Sequence, residues 1–281
     1  MPMQLDMSRC FMPEALAGPA PVRALDEDDR RRLNQIRACS YLHVFEVLET
    51  LLGSVARERA RTDLEIREVL APLLPLDVFD HHDLFSSFEA AFAADFPARP
   101  RLVPHPDDLA ATLMHASPLS LLVLALHLKL VTQQHYLACV RGDERLEPHF
   151  VRLLKEHWSV ECGSASSGAN ADSSLAIQQA LAATLPGRIP AGLRDYRLLV
   201  FAIDDVLRRQ SDLDVETLED VRDHPLPAAD RSVVTAAQVA AHRKTFLTVG
   251  IVNAAFVYAM RALGPTAPSV LAGVVSTLSS R

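Results

Sequence analysis

The sequence predicts an all-α protein, a single domain of four main helices with further C-terminal helices packed alongside. Two observations carry this. Hydrophobic residues make up 49% of the 281 positions but aromatics only 6%, with Ala and Leu dominant. That balance suits helix on helix, because sheets draw on β-branched and aromatic side chains. Apolar positions also recur at helical spacing between recognisable caps and stops, with no repeat and no strand pattern. A chain of this length can bury a large core.

Taken in order, residues 1–24 are Pro-rich and patternless and are expected to form a loose N-terminal arm. Asp26 caps a first helix running to about Arg61, with Leu33, Ile36, Val44, Val47, Leu48 and Leu51 on its apolar face. A second helical region starts at Asp63, is punctuated by Pro72 and Pro75, and restarts from Asp77 through Phe96. A connector, Pro97 to Pro106, leads to a short helix, Asp107 to His115. Ser117-Pro118 is a cap followed by a first-turn proline. It opens the longest apolar run, Leu119 to Val140, which stops near Arg141-Gly142. A fourth helix begins at Asp143 or Glu147. Residues 163–174, small and polar, read as a flexible loop. Helices follow at Leu175 to Leu185, Ala191 to Gln210, Val215 to Val221 and Val233 to Leu263. The domain therefore spans 25–263, with 264–281 as a tail.

Net charge is −7. The basic cluster Arg30-Arg31-Arg32 directly follows Asp26-Glu27-Asp28-Asp29 and reads as a solvated helix start rather than a nucleic-acid surface. Cys10, Cys39, Cys139 and Cys162 show no paired spacing, so reduced thiols are expected. No signal pattern opens the chain, and a cytoplasmic location is expected. Phe246 to Met260 is apolar but short and contains Gly250 and Asn253, so it reads as a buried helix rather than a span. Neither a nucleophile elbow nor a Gly-rich phosphate loop occurs.

Lys129 sits in the middle of the longest apolar run. An unpaired buried ammonium costs several kcal/mol, so either this side chain snorkels out or an acid inside the fold holds it. Helical bundles that bind two metal ions place one Glu on each of two helices and a Glu-x-x-His on each of the other two. Against that template the first helix offers Glu46 and Glu49. The second offers His81, with Val78 three residues earlier. The third offers Lys129, and the fourth Glu161, with Ser164 three residues later. The skeleton is there with half its ligands replaced. A mononuclear site of Glu49, His81, His157 and Glu161 is the alternative, since His and carboxylates suit Fe, Mn or Zn; Lys129 would repel the dication. Tyr136 and Trp158 flank the region and are expected to be packing residues.

The local words YLHVFEVLET (41–50), DVFDHHDLFSSFEAAF (77–92), HLKLVTQQHYL (127–137), FVRLLKEHWSVECGS (150–164) and HRKTFLTVGIVNAAF (242–256) resemble those of a bacterial branch of the ferritin-like, di-iron carboxylate superfamily. The resemblance covers most of residues 33–256 and implies a ferritin-like four-helix bundle. It places Glu49, His81 and Glu161 at ligand positions. Val78 and Lys129 stand where the family has carboxylates, and Ser164 where it has a histidine. Two carboxylates lost and one cation gained change the local charge by about three units, against about four for two divalent ions. The implied site is metal-free, with the Lys129 ammonium between Glu49 and Glu161. No cofactor is then expected. The expected function is a small-molecule pocket in the bundle core with acid/base capacity, Lys129 and His81 being the candidate catalytic groups. One alternative is an Fe- or Mn-dependent oxidoreductase with a reorganised ligand set. Another is a non-catalytic subunit, as a homodimer or paired with an active homologue. Neither nucleic acid nor membrane is an expected partner.

Overall fold

The computed structural model describes residues 4–13, 16, 23–74, 79–161 and 173–281, the side chains of 79–82, 160, 161 and 173 excepted. The expected all-α class is what it shows, with no strand among the described residues.

Helix α1, Glu27–Thr62, begins where the Asp26 carboxylate accepts the Asp29 N–H at 2.8 Å, with three acids in the first turn to complement the helix dipole. Asp63 ends it and caps α2, Leu64–Leu70, which tightens into a 3₁₀ turn at Ala71–Leu73. Helices α3, Phe79–Asp95, and α4, Asp107–His115, follow. Helix α5, Pro118–Gln134, starts at the expected Ser117 cap and is buried at every position from Leu119 to Thr132. A helix apolar all round belongs inside a fold. It widens into a π-helical turn, His135–Val140, before α6, Pro148–Glu161. Then come α7, Ser173–Ala182, and α8, Ile189–Glu219. Helix α9, Ala228–Arg243, runs through a second π-helical segment, Lys244–Thr248, to Ile251. The chain ends with α10, Ala254–Leu263, and α11, Ala267–Ser280.

Around the centre, α1 packs on α3, α3 on α6, α6 on α5 and α5 on α1; α8 lies against α1, α4 and α5, with α9 outside it. The C-terminal pair α10 and α11 is carried by α5, α7 and α8.

Four sequence expectations need correcting. The two helices placed at 191–221 are one, because Gln210, Ser211, Asp214 and Thr217, which interrupt the apolar pattern, are all fully buried and hydrogen-bonded. The last long helix breaks instead, turning by 52° between Ile251 and Ala254, where the Asn253 carbonyl caps α10. No single described helix is long and apolar enough to cross a membrane. The tail 264–281 is mostly α11, whose Leu271, Val274 and Leu278 are buried.

The described part of the N-terminal arm is a strap rather than a loose end. The Asn34 side chain accepts the N–H groups of Phe11 and Met12 and donates to the Met12 carbonyl. Gln35 donates to the carbonyls of Met7 and Arg9, Asp95 accepts the Leu5 N–H, and the Glu147 N–H donates to the Cys10 carbonyl. Thr245, on the second π segment, donates its hydroxyl to the Leu16 carbonyl. At the strap's centre Phe11, fully buried, meets the rings of Phe88, Phe92 and Phe150 with centroids 5.9–6.1 Å away. Phe11→Ala should therefore lower stability by about 3–5 kcal/mol. A shift of the urea midpoint worth less than about 1 kcal/mol would show that the strap lies on the core without contributing to it.

One buried polar hub joins α1, α8 and α9. The Asp214 carboxylate, fully buried, accepts hydrogen bonds from Ser40, Gln210, Gln238 and His242, the last at 2.8 Å. Arg37 donates to the Gln238 side-chain oxygen at 2.8 Å. Burial pushes its guanidinium down to about 10, and the Asp214 charge opposes that shift.

Candidate functional site

Two of the residues singled out in the sequence come together. Glu49, about six turns along α1, points its Oε1 to within 3.5 Å of Nε2 of His157 on α6. His157 is fully buried while Glu49 keeps 20% of its side chain exposed, so the pair reaches from the core toward one edge of the helix ring. The His157 ring stands edge-on to Phe45 (5.9 Å) and Phe85 (5.1 Å), which fix its plane. Lys129, only 7% exposed, is buried on α5. That helix packs directly on both α1 and α6.

Of the other positions, Val78 and Ser164 lie outside the described residues. His81 falls in the first turn of α3 and Glu161 ends α6, their side chains being outside the described set. Several candidate ligands are placed elsewhere. Glu156 is exposed and pairs loosely with Arg152. Asp83 is exposed. Among the described residues no group of three His, Cys, Asp or Glu side chains is arranged to hold a metal ion. At this place the described residues supply toward a metal the Glu49–His157 pair, short of a ligand set by itself.

A second arrangement was not legible in the sequence. His127 on α5 and His135, eight residues later at the start of the π-helical turn that follows it, each meet a buried phenol. His127 Nδ1 lies 2.7 Å from the Tyr196 hydroxyl, from α8, and His135 Nδ1 lies 2.9 Å from the Tyr41 hydroxyl, from α1. Both phenols are at most 1% exposed. Each O–H needs an acceptor, and the imidazole Nδ1 provides it, which leaves the proton of the neutral ring on Nε2. On that side lies the second π segment. Its Phe246 and Leu247 carbonyls sit beside His127, its Thr245 carbonyl beside His135, and Nε2 of His127 lies against Gly250, where a Cβ would stand 2.1 Å away. Gly250 is therefore required for this close approach.

Burial pushes His127 down to about 4, opposed by the Phe246 and Leu247 carbonyls. It pushes His135 down to about 3, opposed by the Thr245 carbonyl and assisted by His157. Both rings are neutral at pH 7. The Tyr41 phenol is raised well above its usual range, first by burial, then by the charge of Glu49, then by Cys139. Tyr41 thus links the two arrangements. It stands two turns before Glu49 on α1, packs on Phe45 at 4.9 Å, and bonds His135.

Tyr136 and Trp158 stack on each other at 5.0 Å beside this region, as expected of packing residues. Cys39 is buried and its thiol raised, while Cys10 is exposed. No protein-family model, curated protein or solved structure matches the chain.

Proposed function

We propose that this chain is a ferritin-like bundle built on a di-iron oxygenase scaffold, in which a lysine–carboxylate cluster has replaced the two-metal centre. In this reading the site binds a small molecule in the bundle core and offers it acid/base groups. The observation that carries the proposal is Lys129, 7% exposed in a helix buried on all sides and packed against the helices of Glu49 and His157. The ring of α1, α3, α6 and α5 supports the ferritin-like arrangement.

An ammonium in such a place needs a carboxylate partner, because the desolvation cost of several kcal/mol is otherwise uncompensated. Glu49, on a helix packed against α5, is the partner this reading assigns, with Glu161 assigned by its sequence position alone. Glu49 polarises His157, so a proton removed from a ligand at the imidazole passes to a charge-stabilised base. Lys129 supplies the acid side in this proposal, and His81, in the first turn of α3, is the second candidate group.

Two measurements test this. Protein purified without chelator should carry far less than one Fe or Mn per chain. Lys129→Met should destabilise by about 3 kcal/mol, since it leaves the half-buried Glu49 carboxylate without the cation proposed to hold it. Stoichiometric Fe or Mn that disappears in His81→Ala would instead establish the metal-dependent oxidoreductase. A Lys129→Met protein at least as stable as the parent would show that the ammonium reaches solvent.

A further inference from the structure

Among the described residues, the joint between α9 and α10 is held on the strap and on α5 with its π-helical turn by few polar contacts. Thr245 donates to the Leu16 carbonyl, Asn253 donates to the Gln134 side chain at 2.8 Å, and His135 lies between the Tyr41 hydroxyl and the Thr245 carbonyl. Between them, Phe246 covers Tyr41 and Phe45 with ring centroids 5.4 and 4.9 Å away. The joint contains a π-helical segment, a 52° bend and a glycine pressed against His127. Segments of this kind bend more readily than regular helix and are frequent at functional positions.

We propose that Tyr41 and His135 form an acid-released latch that docks residues 244–253 on α5. The chemistry is a change of donor and acceptor. Neutral His135 accepts the phenol proton at Nδ1. Once Nδ1 is itself protonated, N–H faces O–H, and the phenol has no second acceptor among the described residues. Both groups are essentially buried, so the charged ring is accommodated only when the joint lifts and admits water. The groups facing His135 do not offset this. From α1 it meets Tyr41, with Glu49 two turns further on. From α6 the electrostatic effect of His157 opposes protonation, and Cys139 lies on its own segment, its thiol influenced by Lys244. Only the Thr245 carbonyl favours the proton, and it belongs to the segment that is released. Lifting Phe246 uncovers Tyr41 and Phe45, the wall beside His157. The latch stands whether or not that neighbouring site binds a ligand.

Hydrogen exchange of the full chain, read by peptide and corrected for intrinsic rates, tests the latch at about pH 7.5 and about pH 5. An imidazole with a pKa of about 6.5 in the open joint makes opening about 30-fold more frequent at the lower pH. Peptides covering 244–263 should lose protection by that factor, while those of α1 keep theirs. His135→Gln, which still accepts from the phenol but takes up no proton, should abolish the pH effect. Tyr41→Phe should loosen 244–263 at both pH values. Unchanged protection in the parent, an undiminished pH effect in His135→Gln, or equal loss in every helix would overturn the proposal. If His135→Gln does not fold, the comparison of 244–263 with α1 in the parent decides alone.

Discussion

Asp214→Ala is expected to cost about 3–5 kcal/mol, a large share of the stability of a typical domain. The substitution removes the acceptor of four buried side chains and the only anion that the electrostatics of Arg37 name. Arg37 stays charged at neutral pH and would lose the favourable charge of Asp214, which opposes the cost of its burial. Removing both buried charges should hurt less than removing the Asp214 carboxylate alone. Arg37→Met combined with Asp214→Leu should recover a good part of the loss, because buried ion pairs are often replaceable by apolar groups. Urea denaturation of the single and double variants measures both. If Asp214→Ala unfolded at the parent's urea midpoint, the hub would be incidental to the fold.

Acid should be nearly as damaging, through His127 and His135. Above about pH 6.5 both imidazoles are neutral in the folded and unfolded chain alike, and they leave stability independent of pH. As the pH falls below that value the unfolded chain takes up two protons that the folded chain refuses until about 4 at His127 and about 3 at His135. Stability is therefore present at neutral pH and lost on acidification. The loss amounts to about 5 kcal/mol for the two together by about pH 4.5. The slope of unfolding free energy against pH should approach two protons in the parent and flatten markedly in the double variant His127→Gln, His135→Gln. An equally steep slope in the double variant would assign acid sensitivity to other groups.

Much of the helical frame was readable because its signals are local. Asp26, Asp63 and Ser117-Pro118 act within a turn of themselves, and α1, α2 and α5 begin where those caps put them. The uninterrupted α8 was not readable. Gln210 and Asp214 look like breaks in an apolar stripe until their partners on the loop at Arg101–Val103 and on α1 and α9 are known. The strap failed for the same reason, since a proline-rich stretch gives no hint that Asn34 will take both its N–H groups. In the site, the burial of Lys129 followed from its neighbours in sequence. The Glu49–His157 contact rests on helix register and was anticipated only as one ligand set among several. The Tyr41–His135 bond joins residues 94 apart, and nothing near either one announces it.

The strap has a consequence for the order in which the molecule is made. Residues 4–16 leave the ribosome before every one of their partners. Asn34 and Gln35 follow soon, but Phe88, Phe92 and Asp95 come some eighty residues later, Glu147 and Phe150 later again, and Thr245 lies 229 positions beyond Leu16. Closing loops of that length is entropically slow, and the apolar side chains of Phe11, Met12 and Leu16 wait uncovered in the meantime. During synthesis the growing chain thus exposes these apolar side chains until the segment at Thr245 has emerged to cover the last of them, and it is open to wrong contacts for that long.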